Sequence, residues 1–131
     1  MVGETDLNKL LKTLSPSLNE GSYVFATIED INLIPRGDVL FEFKEAEAVT
    51  VIMAKNKADA FNLKYEFNCS WITLTVHSSL AAVGLTAAVA TALTKFNISC
   101  NVVAAFYHDH IFVPTKDTEK AMEVLSEFSK T

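Results

Sequence analysis

The sequence predicts an α+β chain assembled from two degenerate copies of one small unit, and three observations carry that expectation. An alternating apolar run, Trp71 to Val76, sets Ile72, Leu74 and Val76 on one face, the period-2 pattern of a half-buried strand. Small and apolar residues from Leu80 to Phe96 then change the period and read as a helix of about four turns. After Asn97 a second apolar, β-branched run opens, Ile98 to Phe106. Strand, helix and strand on short connections make a βαβ unit with a right-handed crossover.

The remaining elements follow in order. Leu7, Leu10, Leu11 and Leu14 recur at helical spacing, with Thr5 or Asp6 placed to cap the first turn. Ser15-Pro16 stops that segment, a short helix or a helix giving way to a strand near Lys12, and Pro16 to Gly21 has the chemistry of a loop. Ser22 to Ile28 alternates, with Val24, Ala26 and Ile28 opposite Tyr23, Phe25 and Thr27, and reads as a strand. Asp30, Asn32, Pro35 and Gly37 make the next segment irregular. Val39 to Phe43 and Val49 to Met53 are strands joined by a hairpin at Lys44 to Glu47. Lys55 to Leu63 is a short helix, and Tyr65 to Cys69 is extended. Tyr107 to His110 is a tight turn into a strand, Ile111 to Val113, which Pro114 ends. Thr115 or Asp117 can cap a last helix whose apolar face is Ala121, Val124, Leu125 and Phe128.

The second half is thus β-α-β-β-α, and the first half β-loop-β-β-α with an extended segment at Tyr65. The fold class is α+β, ferredoxin-like, a tandem repeat of antiparallel sheets with helices on one face. The expected halves are residues 1–64 and 65–131. A ferredoxin-like unit needs a fourth strand, and the second half has none after its last helix. The segment before Pro16 is the natural donor.

Composition excludes several functions. The chain of 131 residues is half apolar, so a sizeable core is available. Its net charge is -5 and its Lys and Arg residues are scattered, which argues against nucleic acid and anionic membranes as partners. From Phe67 to Thr94 there is no charged side chain, a length that could span a bilayer. His77, two serines, several threonines and the change of period favour a buried strand and helix. No secretory pattern opens the chain, so a cytoplasmic location is expected, with Cys69 and Cys100 reduced.

The turn His77-Ser78-Ser79 into Val83-Gly84-Leu85-Thr86, followed by Asn97-Ile98-Ser99-Cys100-Asn101-Val102-Val103, resembles the ACT domain. Within that family the chain looks like the small bacterial proteins of two tandem ACT-like halves. It is also similar to half of the cytosolic arginine sensor of the TOR pathway and to the regulatory ACT pair of aspartate kinases. The resemblance covers nearly the whole chain, most specifically from Ser78 to Pro114. It implies a regulatory domain and not an enzyme, with an amino acid or similar metabolite bound between paired modules and no cofactor. It further implies a homodimer and output through a regulated partner protein or a change of oligomeric state. The ligand-binding residues it implies are Ser78, Ser79, Leu80, Val83, Gly84, Leu85, Cys100 and Asn101. Asn101 stands where the kinase modules carry an acidic residue, a departure that weakens any expectation of lysine or arginine as ligand.

Residue chemistry supports such a site on its own terms. A helix start has N–H groups without partners and a partial positive charge, which suits a carboxylate. Ser78 and Ser79 can cap the helix or bond a ligand, and Gly84 opens the backbone to close approach. Asn101 offers both donor and acceptor. The alternatives are a plain N-cap, close helix-on-sheet packing at Gly84, and strand-edge bonding at Asn101. A metal is not expected: His108 and His110 could chelate with His77 or Asp109, but the same residues make a solvated hairpin tip. No hydrolase or nucleotide motif is present. A ligand-free interaction domain stands as the competing function.

Overall fold

The structure, a computed structural model, describes residues 6–76 and 83–130. The elements run α1 (Leu7–Lys12), β1 (Ser15–Leu18), β2 (Tyr23–Ile28), β3 (Phe41–Lys44), β4 (Val49–Ala54), α2 (Lys55–Ala60), β5 (Lys64–Thr75), α3 (Leu85–Thr94), β6 (Asn101–Ala104), β7 (Asp109–Pro114) and α4 (Thr118–Glu127). Short 3-10 turns at Ile31–Leu33 and Arg36–Asp38 separate β2 from β3. The chain divides into two compact units, Glu20–Ser70 on the one hand and the N-terminal segment to Asn19 with the chain from Trp71 onward on the other. β5 runs unbroken from Lys64 to Thr75, merging two stretches that the sequence had suggested separately.

In the Glu20–Ser70 unit the strand order is β3-β4-β2-β5, and the β3–β4, β4–β2 and β2–β5 pairs are antiparallel. Val24, Ala26 and Ile28 of β2 join Val51 and Met53 of β4, Ile34 and Ala58 in one buried cluster. The expected alternation of β2 therefore selects its core face. Where the other unit has α3, this one has only the two 3-10 turns, the first capped by Asp30, whose carboxylate accepts the Asn32 N–H at 3.0 Å. A register shift between Tyr23 and Phe25 bulges β5, and Phe67 takes a positive φ of 60° there, a conformation rare for a bulky residue.

The other unit has the order β5-β7-β6, with β1 paired to β5. β1 runs antiparallel to β5 in the register Ser15 to Thr75 through Leu18 to Ile72. The N-terminal segment thus supplies the fourth strand, but with residues from Ser15 to Leu18 that had been expected as loop from Pro16 onward. Proline lacks an N–H donor and is tolerated on an outer strand, so Pro16 does not stop β1. Leu14, Ile72, Leu74, Leu85, Val89, Leu93, Ile98, Ile111, Val113, Ala121, Val124 and Leu125 form the core, with α3 and α4 supplying their apolar faces.

The two units repeat one plan. β4 and β7 bury the same central positions, and each passes directly into a helical turn. α2 and α3 are each followed by an asparagine with φ near the left-handed value, Asn62 at 57° and Asn97 at 58°. The next residues, Leu63 and Ile98, turn their N–H groups back to Ala58 and Leu93 carbonyls. Among the described residues no helix is long and apolar enough to cross a membrane.

Leu14 is 2% exposed and sits in the core of the unit that β1 completes. Leu14→Ala should cost about 2–4 kcal/mol in urea unfolding. Leu33→Ala, at a side chain 71% exposed, should stay within about 0.5 kcal/mol of the parent.

Candidate ligand site

The expected site centres on the start of α3. Among the described residues α3 begins at Leu85, and Gly84 is its N-cap with a φ of 96°. That φ lies in the left-handed region where a Cβ is strained, so glycine is required by conformation. Space adds a second reason: a Cβ on Gly84 would meet Cδ2 of Leu7 at 3.2 Å. Leu7 belongs to α1, so the helix before β1 borders the beginning of α3, a neighbour the sequence marked only as part of an apolar stripe.

No side chain caps α3 among the described residues, and its first turn carries no acid. Its leading N–H groups and dipole therefore favour an anion at this end. Val83, immediately before, is 83% exposed, whereas Leu85, immediately after, is 5% exposed and lies in the core. One residue of the pair faces outward and the other anchors the helix. Ser78, Ser79 and Leu80 lie outside the described residues, as does His77.

Cys100 and Asn101 are not brought to a common face. Cys100 packs against the buried core, and burial pushes its thiol up to about 11. Asn101 pairs with Phe112, while Val102 pairs with Ile111, and directly opposed residues share a face. Ile111 is in the core under the helices and Val102 packs against it, so Asn101 turns to the other side of the sheet. The sheet order also separates β6 from β5 by β7, so Asn101 is not on the strand neighbouring β5 that the βαβ reading had suggested.

The histidines take different positions from those expected. The turn comprises Ala105 to His108, closed by the Ala105 N–H bonding the His108 carbonyl at 3.0 Å, and Asp109 and His110 already belong to β7. The His108 and His110 rings stand 6.2 Å apart, nearly perpendicular. His110 Nδ1 accepts the indole Nε1–H of Trp71 at 3.0 Å and lies 3.3 Å from Thr73 Oγ1. Accepting at Nδ1 places the neutral proton on Nε2. Burial, then the neighbouring His108 charge, lower the His110 pKa from its usual 6.5, while Asp109 opposes them. The Asp109 carboxyl is itself raised by burial.

Comparison with known proteins agrees with this architecture. Profiles of the ACT domain match residues 2–70 and residues 66–127. Among solved structures the chain is similar to a protein of unknown function from Vibrio cholerae, described as a possible transport protein, with 42% identity over 94% of this chain and 95% of that one and a TM-score of 0.87. It shares its fold with a protein from Agrobacterium tumefaciens, at 18% identity, 88% and 89% coverage and a TM-score of 0.69. The regulatory subunit of aspartate kinase from Thermus thermophilus, in its ligand-free form, has the fold as well, at 9% identity, 88% and 97% coverage and a TM-score of 0.59. No curated protein matches the chain. The chain belongs to the ACT domain family, as two tandem ACT domains of ferredoxin-like fold. That family membership puts it in the class of small-molecule-binding regulatory domains.

Gly84 provides a direct check on the start of α3. Gly84→Ala should destabilise the protein by about 1–2 kcal/mol through the left-handed φ. Gly84→Asn should cost less, because asparagine tolerates that conformation, and urea unfolding of the pair distinguishes them.

Proposed function

We propose that the chain is a sensor that binds an amino acid at the start of α3 and transmits its presence through a partner protein or a change in oligomeric state. The observation that carries the reading is the beginning of α3 at Gly84, which no side chain caps among the described residues and where backbone N–H groups and the helix dipole suit an α-carboxylate. Val83, Gly84 and Leu85 form the described part of this site, and Ser78, Ser79 and Leu80 are its proposed further contacts. Asn101 lies on the opposite face of the sheet from the core and Cys100 within reach of it, so both belong to the proposal only as outer residues. The family membership and the aspartate kinase regulatory fold support an amino acid over other metabolites.

The mechanism is population shift: the ligand stabilises whichever arrangement it binds better, by no more than its difference in affinity. On this reading the chain works in the cytoplasm, as a homodimer, without catalysis of its own. The competing reading, a ligand-free interaction domain, draws on the exposed Phe106 and Tyr107 at the β6–β7 turn, 78% and 80% accessible.

A thermal-shift screen against the twenty amino acids decides between them. An amino acid at a hundred times its dissociation constant should add about 2.7 kcal/mol, read as a rise of several degrees in Tm. Val83→Asp places a carboxylate beside the helix start at an exposed position, and should weaken that binding roughly tenfold or more while leaving the unliganded Tm unchanged or slightly raised. Unchanged affinity in Val83→Asp moves the site elsewhere. A flat response to every amino acid favours the interaction domain.

A further inference from the structure

On the face of the β1-containing sheet away from the helices, a chain of hydrogen bonds joins three strands. Asn19, directly after β1, donates its backbone N–H to the Trp71 carbonyl at 2.9 Å. Its side-chain Nδ2 donates to Thr73 Oγ1 at 2.9 Å and to the same Trp71 carbonyl at 3.3 Å. Thr73 Oγ1 lies 3.3 Å from His110 Nδ1, which accepts the Trp71 indole N–H at 3.0 Å. The indole and imidazole rings are also in contact, with centroids 5.7 Å apart.

We propose that this Asn19–Thr73–His110–Trp71 chain is a pH-responsive latch on the N-terminal strand, engaged when His110 is neutral and loosened when it is protonated. The neutral ring presents a lone pair at Nδ1, and that lone pair is what the indole N–H and the Thr73 hydroxyl share. Protonation puts a hydrogen on Nδ1. The Trp71 N–H then faces a donor instead of an acceptor, so the hydrogen bond between Trp71 and His110 is lost. The Thr73 hydroxyl must turn to accept from the imidazolium while it still accepts from Asn19, so the disturbance reaches the residue that ends β1.

The groups around His110 set where the latch opens. Near it in the chain, His108 at the end of the turn carries a like charge when protonated and Asp109, on the same strand, an opposite one. From β5 it faces Trp71 and Thr73, and from β6 Val103, all of them neutral. Asn19 reaches it through Thr73. Partial burial favours the neutral ring, so the folded protein takes up this proton less readily than the unfolded chain, whose histidines titrate near 6.5. The sign follows: the latch is fully engaged above that value and weakens as pH falls below it through the folded-state value.

Trp71 is the single tryptophan, so its fluorescence reports the latch without ambiguity. Emission followed from pH 8 to 5 should show one transition with its midpoint below 6.5, and the protection of the Asn19 amide, its exchange relative to an unstructured amide at the same pH, should fall along the same curve. His108→Gln should raise the midpoint by removing a like charge, and Asp109→Asn should lower it. His110→Gln should abolish the transition. A flat emission profile in the parent, a transition that persists in His110→Gln, or Asn19 protection that stays constant with pH while emission changes would each overturn the proposal. Should His110→Gln fail to fold, the opposite displacements in the His108 and Asp109 variants decide it alone.

Discussion

The antiparallel pairing of Ser15–Leu18 with Ile72–Thr75 is the constraint on which the second ACT domain rests. That domain has its first, second and third strands in β5, β6 and β7, and two helices, and β1 takes the remaining place beside β5. Without β1, the edge of β5 from Ile72 to Thr75 would show its unpaired N–H and C=O groups, a template for unwanted strand pairing. The N-terminal segment meets this need twice over. β1 supplies the ladder, and Leu14, just ahead of it, enters the core with Leu7 and Leu11 packed against the same cluster. An arm held by both backbone bonds and apolar burial is bound far more firmly than either contribution alone would allow.

Much of this was legible from periodicity. The stripe at Leu7, Leu10, Leu11 and Leu14, the alternation of β2, and the apolar face Ala121, Val124 and Leu125 each report which side is buried, and the structure buries those sides. The need for a borrowed strand was also readable, because a β-α-β-β-α order leaves one place in the sheet empty. What periodicity could not give is the identity of the borrowed strand. Ser15-Pro16-Ser17-Leu18 has the composition of a loop, and becomes a strand only because β5 offers it a partner. Tertiary context overrides local propensity most easily on outer strands, where proline loses nothing.

The candidate site was legible in part, for a related reason. Gly84 could be singled out because a glycine beside a helix start has few explanations, and its φ of 96° accounts for it. The placement of Cys100 and Asn101 turned on strand parity. A strand alternates faces at every residue, so adjacent residues cannot line one pocket on one side of a sheet, and only the pairing of Asn101 with Phe112 says which of the two turns away from the core. Sheet order was hidden for the same reason: β-α-β in sequence does not say whether a later strand inserts between the two, as β7 does here.

These facts give the arm a position that bears on sensing. Leu7 of α1 stands against Gly84 at the beginning of α3, while Asn19 at the other end of the arm is tied to Trp71 and Thr73 of β5. A ligand that approaches the backbone at Gly84 must share that space with Leu7, so binding there and the packing of α1 are not independent. A ligand shifts an equilibrium only through a difference in affinity between two states. The contact between Leu7 and Gly84 is where such a difference can arise, since a docked α1 and a displaced α1 present different walls to the same group. On the proposed reading the segment that completes the fold is also the one placed to respond; its attachment is apolar in the core at Leu14 and polar at Asn19, which connects through Thr73 to the titratable His110. A latch of that kind yields first at its polar end, which leaves the apolar core intact while the arm's contact with β5 changes.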